Sequence, residues 1–265
     1  MIDFAPKIVV TLFILFIIND VSSADNRAAT AEDINFRIVG GGAADIKEYP
    51  YQVSILRGEK HHCGGSIVNR FFILTAAHCT YNTPYSKFTV RAGSSYWSKE
   101  GQLKEVIAKF EHPSYISKIY HNDISILKLR KPLIFDDTVQ PIKLADAKMP
   151  PIPDGTMATV TGWGRLEYER EAMSDKLMVV HVPMISRDTC EKSYESSVIT
   201  KSMICAGYVE GGRDACIGDS GGPLTMDGIQ IGIVSWGISC AGANSPGVYT
   251  SVMVMRDFIN EITGK

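Results

Sequence analysis

"GDSGGP", residues 218–223, places one serine behind a carboxylate and ahead of two glycines and a proline. Gly, Asp, Ser and Pro are turn formers for backbone reasons, so the stretch alone reads as a surface turn. A short motif gains meaning only from its context, and two further stretches supply it. "LTAAHC", residues 74–79, holds His78 directly before Cys79, and "HNDIS", residues 121–125, holds Asp123 at the start of an apolar run. Singly, each has an ordinary explanation: a satisfied core histidine, a turn aspartate, a turn serine. Together they run His, Asp, Ser along the chain, an order that one nucleophile system uses. A serine hydroxyl is a weak nucleophile at its own pKa. It needs a base to take its proton, and the base needs a third group to hold its tautomer and stabilise its charged form. His78 is the expected base and then general acid, Asp123 its orienting group, and Ser220 the attacking group. The backbone N–H groups of Gly218 and Ser220 can converge on one point and stabilise an oxyanion, and a side chain at 218 would crowd that approach.

Around these stretches, short strand-like runs alternate with turn residues from Ile38 onward. "YQVSIL", "FFILTA", "KFTVRAG" and "DISILKL" occupy the first half, and "MATVTGWG", "KLMVVHVPMI", "IQIGIVSWG" and "GVYTSV" the second. Each is rich in β-branched or aromatic residues and bounded by Gly, Pro, Asn or Asp. Many short strands with frequent turns predict an all-β sandwich or a pair of barrels. "ADAKMPPIPDG", residues 145–155, carries three prolines that cannot serve a central strand, so it is read as the connector between halves. Val252, Met255, Phe258, Ile259 and Ile262 follow helical spacing and predict a terminal amphipathic helix over about 252–263.

A chain of 265 residues, 45% hydrophobic and 21% charged, has ample material for a core. A net charge of −2 carries no basic excess of the kind that binds nucleic acid. Lys7 precedes the apolar run Ile8–Ile18, and Ser22, Ser23 and Ala24 follow it, the layout of a secretory signal peptide over residues 1–24. The run is too short to anchor the chain across about 30 Å of hydrocarbon. Secretion implies an oxidising compartment, and six cysteines then suggest three disulfides. No pair shows Cys-x-x-Cys spacing, which argues against structural zinc; fifteen pairings stay open on spacing alone. Residues 25–37 are polar and end in Arg37 before "IVGGG", which suggests a pro-segment cut after Arg37. Three of 27 basic and five of 29 acidic residues lie in the first 37, leaving 228 residues with 24 of each sign.

From Ile38 to Lys265 the chain resembles the chymotrypsin–trypsin family of serine proteases. The resemblance rests on "RIVGG", "CGGSIV", "LTAAHC", "NDI", "TGWG", "MICAG", "GDSGGP", "SWG" and "PGVYT", in order and at family-like separations. It implies two packed six-stranded antiparallel β-barrels with a C-terminal α-helix. Barrel one would span about 38–148 and barrel two about 149–250, with the active site in the cleft between them. It implies disulfides Cys63–Cys79, Cys190–Cys205 and Cys216–Cys240, each worth about 3 kcal/mol in the chain-entropy treatment. Asp214 would floor a specificity pocket with Ala215 beside it, and Gly237 and Gly247 would line its walls. Ser235 and Gly237 would offer backbone hydrogen bonds to an extended substrate, as an added strand. Cleavage after Arg37 would free the amine of Ile38 to pair with Asp219. Ile217 at the pocket rim and Ser239 near its mouth depart from common trypsin residues and bear on subsite preference. "SSYWSKEGQ", residues 94–102, is shorter than a vertebrate calcium loop and lacks a carboxylate directly after the glycine, so no calcium site is expected.

The function that follows is a secreted, trypsin-like serine endopeptidase made as a zymogen, without cofactor or metal, cleaving after Arg and Lys in a digestive or general role. Its partners would be protein and peptide substrates, with protein protease inhibitors as candidates. Nucleic acid and membrane are not expected, and the chain is read as a monomer. Two rivals stand beside this reading. A catalytically dead binding homologue would typically lose a triad residue or the glycines, which this chain keeps. A regulatory protease cutting one partner would often carry extra N-terminal modules.

Overall fold

The computed structural model describes residue 1 and residues 41–165, 172–194, 199–212, 216–240 and 242–264. The expected signal peptide beyond residue 1 and the pro-segment, with Arg37 and Ile38, lie outside the described residues, as do Asp214 and Ala215.

The two-residue strand β1 (Gly42–Ala43) opens the described part. Six strands follow it around the first barrel: β2 (Gln52–Arg57), β3 (Lys60–Ile67), β4 (Phe72–Thr75), β5 (Phe88–Ala92), β6 (Gln102–Glu111) and β7 (Ser125–Leu129). They close in the order β2-β3-β4-β7-β6-β5. After β8 (Lys143–Leu144) come β9 (Met157–Gly162), β10 (Met178–Ile185), β11 (Met203–Ala206), β12 (Pro223–Met226), β13 (Ile229–Trp236) and β14 (Gly247–Ser251). Antiparallel pairings run β9-β10-β11-β14-β13-β12 and return from β12 to β9, which closes a second six-stranded barrel. Closure leaves neither barrel an open edge.

Two short strands depart from a division near residue 148. β1 pairs with β10, and β8 runs parallel to β13, so both belong to the second barrel's sheet although they precede the connector. Each pairs where a barrel strand runs past its neighbour: β10 at Met178–Val179, ahead of its pairing with β11, and β13 at Ile229–Gln230, ahead of its pairing with β14.

The eight runs with strand-like composition fall in strands, most of them buried along nearly their whole length. β5 alternates strictly, with Phe88, Val90 and Ala92 inward. One continuous core spans both barrels, from Val53, Ile55 and Leu127 in the first to Leu224, Ile233 and Tyr249 in the second. Buried polar side chains stitch the barrels together. Thr161 donates to Gln52 Oε1 at 2.6 Å, and Ser66 donates to Gln230 Oε1 at 2.6 Å. Such groups are tolerated inside because they are bonded.

Among the described residues three α-helices complete the fold: α1 (Ala77–Thr80), α2 (Arg187–Tyr194) and α3 (Arg256–Thr263). The terminal helix starts at Arg256, not at the expected 252. Val252 N–H still donates to Ile231 of β13, and Met255 N–H closes a turn onto Ser251, so the apolar spacing begins in a turn before the helix does. Gly264, at φ 70°, ends it in the left-handed region. In the loop after β5, the carbonyls of Ser98 and Glu100 accept hydrogen bonds from the Arg91 guanidinium.

Candidate active site

α1 is four residues long and holds His78 at the barrel seam. Three disulfides join Cys63 to Cys79, Cys190 to Cys205 and Cys216 to Cys240. The first ties β3 to α1, so the residue next to His78 is clamped to the barrel wall. Cys63, Cys79 and His78 cluster closely, but both sulfurs are spent in the disulfide and offer no thiolate to a metal.

Asp123, two residues before β7 begins, is fully buried. Its Oδ1 accepts the His78 backbone N–H at 2.8 Å, and its Oδ2 lies 2.7 Å from His78 Nδ1. The Ser235 hydroxyl donates to the same Oδ2 at 2.6 Å, and Thr250 Oγ1 donates to the Asp123 carbonyl at 2.8 Å. A carboxylate only accepts, so the contact fixes the proton of His78 on Nδ1 and leaves Nε2 as a base. The Tyr120 ring stands edge-on to His78 at 5.6 Å and stacks on Trp236 at 6.3 Å.

A cavity of about 400 Å³ is lined by both His78 and Ser220. Ser235, Trp236, Gly237, Ser239, Gly247 and the Cys216–Cys240 disulfide form its walls, with Ile217 and Ile238 also lining it. Asp214 precedes Cys216 by two residues in the sequence. A larger cavity of about 570 Å³, lined by Lys143, Met149 and Arg256 among others, contains neither His78 nor Ser220.

The glycines after Ser220 have a packing reason. Gly64 N–H donates to the Ser220 carbonyl at 2.8 Å, which docks the serine loop on β3. A Cβ on Gly64 would lie 2.9 Å from Gly222 Cα. Gly221 has φ 79°, and a Cβ there would run into Thr75 Oγ1 and into the Gly64 carbonyl at 2.7 Å. Gly64 of "CGGS" and the two glycines of "SGGP" are thus the two halves of one close backbone contact across the seam, while Gly65 packs against Val53 and Ile73 of its own barrel.

Sequence reading assigned no role to His61. It is buried, with Nδ1 2.7 Å from Ser54 Oγ and Nε2 2.8 Å from the Gly218 carbonyl. A carbonyl cannot donate, so Nε2 carries the proton and Nδ1 accepts from Ser54. His61 therefore pins the Gly218 peptide beside the serine.

Asp219 is fully buried between Gly162 and Gly164, where any Cβ would strike its carboxylate. It accepts N–H bonds from Gly164 at 2.8 Å and Cys216 at 2.9 Å, and no cation among the described residues pairs with it. Burial, only partly offset by those two bonds, pushes its pKa up to about 6. Burial also pushes His61 down to about 4, against the bond to Gly218.

These shifts have opposite pH signatures. From 3.8 to about 6 the folded chain keeps a proton on Asp219 that the unfolded chain has lost, so this contribution to stability falls as pH rises. From about 4 to 6.5 the unfolded chain holds a proton on His61 that the folded chain lacks, so that contribution rises with pH. The two oppose each other over nearly the same window. In the uncut Ser220→Ala chain, adding Asp219→Asn should unmask His61, and the urea midpoint should climb more steeply from pH 4 to 6.5. Equal slopes with and without Asp219→Asn would contradict a raised Asp219.

Two closed six-stranded β-barrels, a cleft at their seam and three disulfides define a serine endopeptidase of the chymotrypsin fold. The Trypsin family model matches residues 38–259, and the chain belongs to the trypsin family. It is 41% identical to a trypsin of Phaedon cochleariae, over 86% of this chain and 89% of that protein. It is 42% identical to a vitellin-degrading protease of Bombyx mori, over 86% of each. Trypsin delta of Drosophila melanogaster is 41% identical, over 84% of this chain and 87% of its own.

Proposed function

We propose that this chain is secreted as a zymogen and, once cut after Arg37, cleaves peptide bonds after Arg and Lys through an acyl-enzyme. The observation that carries the chemistry is Asp123, which grips His78 through both carboxylate oxygens while fully buried. His78 takes the Ser220 proton as Ser220 attacks the scissile carbonyl, then gives it to the leaving amine. Water repeats the cycle to release the acyl group. The N–H groups of Gly218 and Ser220 stabilise the oxyanion, with the Gly218 peptide steadied by His61. Ser235 and Gly237 hold the extended substrate. Asp214 takes its basic side chain, between walls that include Gly237 and Gly247.

Activation rests on Asp219. A buried carboxylate without a cation is costly, and the ammonium of Ile38, freed by cleavage, is the proposed partner. The signal-like residues 1–24 and the disulfides support export. Among the described residues no helix is long and apolar enough to cross a membrane. Relatives named simply as trypsins support general proteolysis, while the vitellin-degrading relative, equally similar, keeps cleavage of one protein target as the second reading.

Arg37→Gln tests the activation step. Treated with trypsin, it should stay full-length, folded and inactive, while the parent becomes active. Strong activity from the uncut variant would defeat the zymogen reading.

A further inference from the structure

We propose that Ser202, from the second barrel, is a positioning residue for the proposed reaction: its hydroxyl fixes the strained turn that aims Asp123 at His78. The proposal rests on the reading of Asp123 as the group that orients His78.

The turn before Asp123 is unusual. Tyr120 and Asn122 both sit in the left-handed region, at φ 52° and 54°. Asn tolerates that conformation, but a bulky side chain such as that of Tyr120 seldom adopts it, and there it persists only where the surroundings over-determine it. Here much of that restraint comes from the other barrel. Asn122 N–H, one residue from Asp123, donates to Ser202 Oγ at 3.1 Å. Ser202 and Asn122 are both buried, so neither has bulk water as a substitute. The Ser202 hydroxyl also lies 3.0 Å from Thr200 Oγ1 and 3.2 Å from His121 Nδ1, and Thr200 Oγ1 lies 2.9 Å from that same nitrogen. The cluster is anchored in turn, because Ser251 of β14 donates its N–H to the Ser202 carbonyl at 2.8 Å. On the first barrel, Asn122 Nδ2 reaches the Ser114 carbonyl at 3.2 Å.

Barrel two therefore holds the Asp123 backbone from two sides, with Ser202 on the preceding residue and Thr250 on the Asp123 carbonyl. Neither Ser202 nor Thr200 lines the cavity shared by His78 and Ser220. Loss of the Ser202 hydroxyl leaves a buried N–H without its acceptor and frees the turn to relax. The Asp123 carboxylate then shifts against His78. The effect should fall on kcat and spare KM, because substrate touches none of these groups.

The experiment measures kcat and KM of the activated enzyme on one Arg peptide, with urea midpoints to confirm folding. Ser202→Ala should lower kcat about tenfold and leave KM within about twofold. Ser202→Thr keeps the hydroxyl and should recover most of the loss. On an Asp123→Asn background, Ser202→Ala should add little, because the path runs through Asp123. A general structural defect would instead add its full cost and would not be rescued by threonine. Unchanged kcat in Ser202→Ala, a loss confined to KM, or full additivity with Asp123→Asn overturns the proposal. If Ser202→Ala does not fold, Thr200→Val decides: a kcat loss of about threefold supports the cluster, and an unchanged kcat overturns it. The foundation is checked separately, since Asp123→Asn with near-normal kcat would sink the reading of Asp123 itself, whereas a crippled Asp123→Asn beside a normal Ser202→Ala sinks only this inference.

Discussion

Replacing Ser220 with alanine is expected to cut kcat by about 10⁶, a magnitude carried over from other triad hydrolases, with a small residue left from oxyanion stabilisation and binding. His78→Ala should cost about as much. The double variant should lose little more than either alone, because a base without its nucleophile has no proton to take. Asp123→Asn should cost about 10⁴. Its amide presents an N–H where Oδ2 now accepts from His78 Nδ1 and Ser235, so the imidazole turns to the wrong tautomer. These losses should appear in kcat with stability nearly unchanged for Ser220→Ala, whose side chain borders the cavity. Single-turnover kinetics on the activated enzyme measure them. A double variant losing the product of the two single factors would mean that Ser220 and His78 do not act as one unit.

What could be read from residues alone, and what could not, divides along the range of the interaction. β2, β4, β7 and β13 announce themselves because a barrel strand buries neighbouring β-branched residues, a property of the strand itself. β3 does not, since Gly64 and Gly65 look like turn residues until Gly222 and the Val53–Ile73 side chains are seen pressing on them. β6 carries Lys104, Glu105, Lys109 and Glu111 on a half-exposed strand, and its charge hides its pairing. α2 is short and polar, held by Cys190 inward and by Arg187 reaching the carbonyls of Thr200 and Met203. The same division applies at the site. His78, Asp123 and Ser220 stand in motifs that mark them locally. His61 acts on Gly218, 157 positions away, and Ser202 on Asn122, 80 away, so no local pattern marks either.

Specificity is the second large effect, and it turns on two residues whose placement is argued from sequence alone. Asp214 at the foot of the cavity walled by Gly237 and Gly247 would be a carboxylate with little water. Its partner would arrive with the substrate, as the Arg or Lys before the scissile bond. A buried charge left unpaired costs roughly 3–5 kcal/mol, so Asp214→Ser should lower kcat/KM on both substrate types by about 10³. Labelling of Ser220 by a small phosphonylating reagent should survive, because that reagent needs no basic side chain. In the proposed pocket, Ala215 would decide between the two cations. Arginine meets a carboxylate through a planar fork with two parallel bonds, whereas lysine is a point charge that needs further acceptors to satisfy its three donors. A serine after the aspartate would supply one such acceptor, and alanine supplies none. Arg should therefore exceed Lys by about 10-fold in kcat/KM, or about 1.4 kcal/mol. Ala215→Ser should narrow the gap, mainly by improving Lys substrates. Paired Arg and Lys peptides of otherwise identical sequence measure it: equal kcat/KM values would remove the role of Ala215, and a preference for Phe or Tyr would remove Asp214 from the pocket floor.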